Sequence, residues 1–134
     1  MTIKDAIYTY LITQTGLTAL VGTRIYPDGE IPQRVSLPAI EYSLVSKVQD
    51  HTSGSDAGNP YFSRWQFDCW ADKGYTADDV AVQLIAALKD YSGTLGGDGG
   101  VSVNRILMEN QTEIKDDELK RKGVTIDFTI IYVE

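Results

Sequence analysis

The sequence is poor in the residues that carry chemistry. Among 134 residues there is one cysteine, Cys69, and one histidine, His51. A lone thiol excludes an intramolecular disulfide and a cysteine-rich zinc site. A lone histidine means that any Ser-His-Asp or Cys-His arrangement would have to be built on His51. Positive charge is short as well: 12 Lys+Arg stand against 19 Asp+Glu, a formal net charge of −7. Such a surface repels phosphate at long range and disfavours general nucleic-acid binding. Long apolar runs are missing; Ala19-Leu20-Val21 and Ile130-Ile131-Tyr132-Val133 fall far below the ~20 residues that span a bilayer. Lys4 and Asp5 interrupt the place where a leader's apolar core would lie. Together these absences predict a soluble protein, without membrane contact, made in a reducing cytoplasm.

What is present is an ordinary globular balance, 43% apolar and 23% charged residues, at a length that predicts one domain over residues 1–134. Thr2 reads as the N-cap of a first helix whose apolar face is Ile3, Ala6, Ile7, Tyr10 and Leu11. A short turn, Leu17–Val21, is closed by Gly22, and Arg24–Pro27 reads as a short extended stretch. Residues 28–38, with Asp28-Gly29, Pro32 and Pro38, read as a loop. From Ala39 to Gln49 a strand alternates, with Ile40, Tyr42, Leu44 and Val48 on one face. A second strand, Tyr61–Ala71, sets Trp65, Phe67 and Cys69 opposite Arg64, Gln66 and Asp68. The helix expected over Thr76–Tyr91 takes Thr76 as N-cap with Asp79 three residues on. A glycine-rich connection, residues 93–100, leads to a strand over Val101–Thr112. There Val101 and Val103 are out of phase with Ile106 and Met108; a bulge would reconcile them. A charged turn over 115–123 precedes a last strand in which Val124, Ile126, Phe128, Ile130 and Tyr132 alternate cleanly. The expected fold is an α+β sandwich in the order α-β-β-α-β-β, a mainly antiparallel sheet of four to five strands covered on one face by two helices.

No catalytic or metal constellation emerges, and neither a cofactor nor a bound metal is expected. His51 lies in a polar loop, residues 50–60, and Cys69 shares a strand face with Trp65 and Phe67, which predicts an inert core thiol. The cluster Gly93–Gly100 follows a helix and opens a strand, the reverse of a phosphate loop, and holds no lysine. Asp116-Asp117-Glu118 lacks the ligand spacing of a calcium loop and is flanked by Lys115, Lys120, Arg121 and Lys122. The unusual feature is aromatic. Tyrosine occurs eight times, and Phe62 and Trp70 lie on the strand face opposite Trp65 and Phe67. Helices can cover one face only, so aromatics on the other are either ordinary surface apolarity or buried by a partner. Ile131 and Val133 repeat the pattern on the last strand.

The order of these segments resembles the tail completion, or tail terminator, proteins of long-tailed bacteriophages and prophages. The residues that carry the resemblance are Leu20-Val21-Gly22-Thr23-Arg24-Ile25-Tyr26-Pro27, then Pro32-Gln33 and Leu37-Pro38-Ala39-Ile40, then the aromatic strand Trp65–Ala71 with the Ala-rich helix behind it, and the closing strand Val124–Phe128. It implies a non-enzymatic virion protein of the tail or neck, assembled in the host bacterial cytoplasm as a homo-oligomer. The expected form is a hexameric ring on the head-proximal end of the tail tube. Its partners would be sister copies, the tail tube protein and the head connector, with DNA passing through without specific binding. Candidate contact residues in that light are Phe62, Arg64 and Trp70 on the sheet. His51 and Asp56 in the loop, and Asp116, Lys120 and Arg121 in the turn, complete the set. Two alternatives stand beside it: another neck or tail component (a head–tail joining protein or a tube subunit), or a small ligand-binding regulatory α+β protein.

Overall fold

The computed structural model of the protein describes residues 1–32, 34–50 and 58–134. Helix α1, Ile3–Leu11, opens on a capping box: the Thr2 hydroxyl accepts from the Asp5 backbone N–H at 3.2 Å, and the Asp5 carboxylate accepts from the Thr2 N–H. Helix α2, Thr15–Val21, ends at Gly22, whose φ of 59° suits glycine. Strand β1 (Ile25–Pro27) is followed by β2 (Ala39–Gln49), β3 (Tyr61–Ala71), helix α3 (Gly74–Leu88), β4 (Gly93–Leu95), β5 (Val101–Asp116) and β6 (Arg121–Val133).

The class is mixed α+β, as expected, with differences in detail. The described residues form three helices and a six-stranded sheet in the order β1-β2-β3-β6-β5-β4, where two helices and four to five strands were anticipated. Turn 17–21 is a helix. The 93–100 connection begins with a strand, β4, that pairs with Val101–Val103, and β1 adds a parallel edge at Ile40–Tyr42. All other neighbours are antiparallel. Helix α3 starts before Thr76: Lys73 is the N-cap and makes no side-chain cap bond. It stops at Leu88, before Gly93, with Asp90 taking a positive φ. The charged turn shrinks to 117–120, because β5 and β6 stay paired out to Asp116 and Arg121.

The helices cover one face. Ala6, Ile7 and Leu11 of α1, Leu17 and Val21 of α2, and Ala77, Val80, Ala81, Leu84 and Leu88 of α3 pack on the inward residues of the sheet. Those are Ile40 and Tyr42, Trp65, Phe67 and Cys69, and Val124, Ile126, Phe128, Ile130 and Tyr132. Tyr42 ties the layers together, its ring stacked on Phe67 and its hydroxyl donating to the Lys4 carbonyl at 2.9 Å. Tyr10 links two helices instead, donating from α1 to the Ala87 carbonyl of α3 at 2.6 Å. A buried serine, Ser63, bridges two strands: its hydroxyl donates to Ile130 O at 2.8 Å and accepts from Trp65 Nε1 at 2.9 Å.

Bulges set which side chains face outward. In β5 the register shifts between Val103 and Arg105, so Val101, Val103, Ile106 and Met108 all turn toward the helices. In β2 it shifts between Leu44 and Ser46. Beyond that point Val48 lies on the open face, opposite Phe62, and not beneath the helices with Ile40 and Tyr42.

Candidate functional site

The open sheet face has two ends with different chemistry. At one end Phe62 on β3 faces Val48 on β2 and Ile131 on β6. Phe62 is 44% exposed, Val48 64% and the bulge residue Val45 54%, which makes an apolar patch without cover in the described chain. Arg64 borders it, its guanidinium 3.0 Å from the Asp127 carboxylate. A polar belt crosses the middle of the face, where the Asp68 carboxylate accepts from Thr125 Oγ1 at 2.7 Å and from Gln66 Nε2 at 3.3 Å. Burial and the neighbouring Asp68 charge push the Glu41 carboxyl above its ordinary range, against the pull of Arg121.

The other end is closed. Trp70 is only 9% exposed, because the Arg121 guanidinium lies 4.3 Å from its ring centre. The expectation that Trp70 stands free beside Phe62 therefore fails: a cation from the adjoining hairpin strand covers it. Asp116 Oδ2 sits 3.8 Å from Arg121 Nε. Its other oxygen accepts from the backbone N–H groups of Glu118 and Leu119, both at 3.1 Å, and so shapes the turn. Lys120 closes that turn at a φ of 52° with its side chain in solvent. Among the described residues neither Trp70 Nε1 nor Arg121 Nε finds a hydrogen-bond acceptor.

Of the sequence-derived candidates, Trp70, Asp116, Lys120 and Arg121 thus gather at one end, and Phe62 with Arg64 at the other. The two groups are about 26 Å apart along β3, from the strand rise. His51 and Asp56 lie outside the described residues. Val48 and Val45 were missed as surface residues; their signal was the adjacent pair Leu44-Val45, which breaks strict alternation.

Reactive chemistry does not assemble around these groups. The Cys69 thiol is buried and burial pushes its pKa up, which keeps it protonated. Among the described residues no three His, Cys, Asp or Glu side chains converge as a metal site, and no helix is long and apolar enough to cross a membrane. A cleft of about 560 Å³ opens between the start of α1 and the ends of β2 and β6, lined by Met1, Ile3, Leu44, Trp65 and Tyr132. Its ion pair, Lys47 to Glu134 at 2.8 Å, holds Lys47 charged and raises its pKa, the opposite of a catalytic base.

The described residues form a packed α+β sheet with an exposed apolar patch on its helix-free face. The chain belongs to the tail completion protein gp17 family, whose family model matches residues 5–133. Members of that family are structural proteins of the phage tail. A search of curated proteins finds no match. Among solved structures the chain resembles one from the virion of a native gene transfer agent particle, with a TM-score of 0.66 and 17% identity. The alignment covers 98% of this chain and 97% of that one. At that identity the likeness speaks for the fold.

Proposed function

We propose that the protein is a tail terminator. Copies assemble as a ring, six to the ring, on the head-proximal end of the finished tail tube; the ring ends tube growth and presents a surface to the head connector. The observation that carries this reading is the Val48–Phe62–Ile131 patch, without cover among the described residues of a chain of the tail completion family. A structural relative drawn from an assembled virion particle supports it. The work is done by binding energy at these surfaces, with no reaction. The net charge of −7 supports a ring through which DNA passes without specific contacts, since phosphate meets like charge. The protein belongs in the virion's tail or neck, and assembly takes place in the bacterial host cytoplasm.

The decisive experiment adds purified protein to tails lacking their terminator, then adds heads, and follows the mixture by electron microscopy. Rings at one end of tails of fixed length, and heads joined to those tails, are expected. Phe62→Ala should fold normally and fail to cap. Open-ended filaments of the protein itself, or tails that ignore it, would refute the reading.

A further inference from the structure

The sheet has two open edges, and they match. On one side β1 covers only Ile40–Tyr42 of β2, so residues 43–48 have no strand beside them among the described residues. On the other side β4 covers only Val101–Val103 of β5, and the backbone of Asp90 and Tyr91 covers Ile106. Beyond that, β5 runs from Leu107 to Asp116 with no described neighbour, and the stretch Glu109–Glu113 is exposed throughout. A proline would blunt such an edge, and neither open stretch contains one.

The outward hydrogen-bonding groups can be assigned. Ile106 gives its C=O to Asp90 N and its N–H to Tyr91 O, so it turns away from its β6 partner Ile130. Strand β6 pairs with β3 without a register shift, so alternate residues Phe128, Ile126, Val124 and Lys122 repeat the orientation of Ile130. Their β5 partners Met108, Gln111, Glu113 and Lys115 therefore point N–H and C=O outward. The same alternation carried through β3 turns Leu44 and Lys47 of β2 outward, in line with Tyr42, whose carbonyl already accepts from Asp28 N.

We propose that β2 of one copy adds to β5 of the next, so that the subunits of the ring share one continuous sheet. This rests on the terminator reading and names the contact within it. Three antiparallel steps separate β2 from β5, so a copy added with its helices on the same side lays its β2 antiparallel to β5. The β5 edge carries Glu109, Glu113 and Asp116 against Lys115, while residues 43–48 carry no acid to repel them, Lys47 itself being paired with Glu134 at 2.8 Å. The greasy end of the open face also finds cover, since Ile114 lies on that face of β5 and the neighbour's Val48 and Phe62 come up beside it. The open stretches sit at opposite ends of the sheet, so successive copies are offset along the strands. Such an offset closes into a ring when the strands tilt against the ring axis, as shear does in a barrel.

The contact is heterologous, one edge against a different one, and that makes it testable by mixing. Proline at an outward N–H blocks strand addition and spares the ladder within the subunit. Glu113→Pro should disable the β5 edge and Lys47→Pro the β2 edge. Each is expected to keep a native circular dichroism spectrum. Each should also raise the concentration needed for assembly, in solution or on tails, by more than about tenfold, the loss of about 1.4 kcal/mol. Mixed together, the two variants should form heterodimers, because one intact edge remains on each. Should Glu113→Pro fail to fold, Lys115→Pro is the second blocker of the same edge. Assembly of either variant like the wild type, or a mixture that stays monomeric, would overturn the strand pairing and leave the terminator reading intact. Wild-type protein that neither forms rings nor binds tails would sink both.

Discussion

Replacing Trp70 separates packing within the subunit from packing between subunits. The ring is 9% exposed, and truncating a core aromatic to alanine costs about 3–5 kcal/mol. Loss of the Arg121 stack at 4.3 Å adds about 0.5–2 kcal/mol. Against this, Trp70 Nε1 is buried without an acceptor, and deleting such a donor recovers about 1–3 kcal/mol. Taken at their central values these leave a net loss for Trp70→Ala of about 3 kcal/mol, a large share of the ~5–15 kcal/mol typical of a whole domain. Trp70→Phe keeps a ring under the guanidinium and removes the orphan donor, so it should lie within about 1.5 kcal/mol of wild type. Phe62→Ala, at an exposed site, should cost less than about 1 kcal/mol. Urea denaturation at low protein concentration reads all three, and the first should move the midpoint down by about 1–2 M. A Trp70→Ala variant within about 0.5 kcal/mol of wild type, or a Phe62→Ala variant that loses more than Trp70→Ala, would refute this division of the two aromatics.

Three further outcomes are expected. Ser63→Ala strands the buried Trp65 Nε1 and should cost about 1–3 kcal/mol in the same denaturation, whereas a surface serine would cost nothing measurable. Lys120→Gly relieves a non-glycine residue held at a φ of 52° and should stabilise by about 1 kcal/mol, seen as a higher melting temperature; a drop would contradict the turn geometry. Burial holds the Glu41 carboxyl above its usual range, so the folded state prefers it protonated and its contribution to stability grows as pH falls through that titration. Glu41→Gln should therefore melt higher than wild type at neutral pH, with the gain disappearing in acid; an equal gain at every pH would exclude the titration as its cause.

The elements with strong local signals were legible in the sequence. Thr2 and the spacing of Ile3, Ala6, Ile7, Tyr10 and Leu11 marked α1, and the alternation around Trp65–Cys69 and Val124–Tyr132 marked the two central strands. What escaped depends on pairing. The extended stretch at Arg24–Pro27 was legible as β1, but its parallel pairing was not, and strand β4 is too short for alternation to register and exists because β5 offers it hydrogen bonds. Lys115 and Asp116 read as part of a turn because they are charged, yet an exposed edge strand needs no apolar face, only the β6 ladder beside it. The N-terminus of α3 was misplaced because Thr76 has the residue type of a cap, while the chain leaves β3 early enough for the helix to begin at Gly74. The candidate surface was half legible: the face of Phe62 followed from periodicity, but the burial of Trp70 needed Arg121, fifty-one positions away by subtraction of their numbers, to come across the sheet.

The bulge in β2 bears most directly on function. Without it the period of two would carry Val48 beneath the helices with Ile40, Tyr42 and Leu44, and would leave Lys47 on the open face beside Phe62. The register shift between Leu44 and Ser46 exchanges them. Lys47 turns to the helix side, where it meets Glu134 and the Tyr61 ring; Val48 turns out against Phe62. One extra residue therefore clears a charge from the open face and puts an apolar side chain in its place. The helix side at position 47 is exposed as well, so the exchange changes which face carries the apolar side chain more than how much of it is buried. The apolar patch on the open face therefore follows from the bulge, which sets Val48 beside Phe62 where an unbroken alternation would have set Lys47.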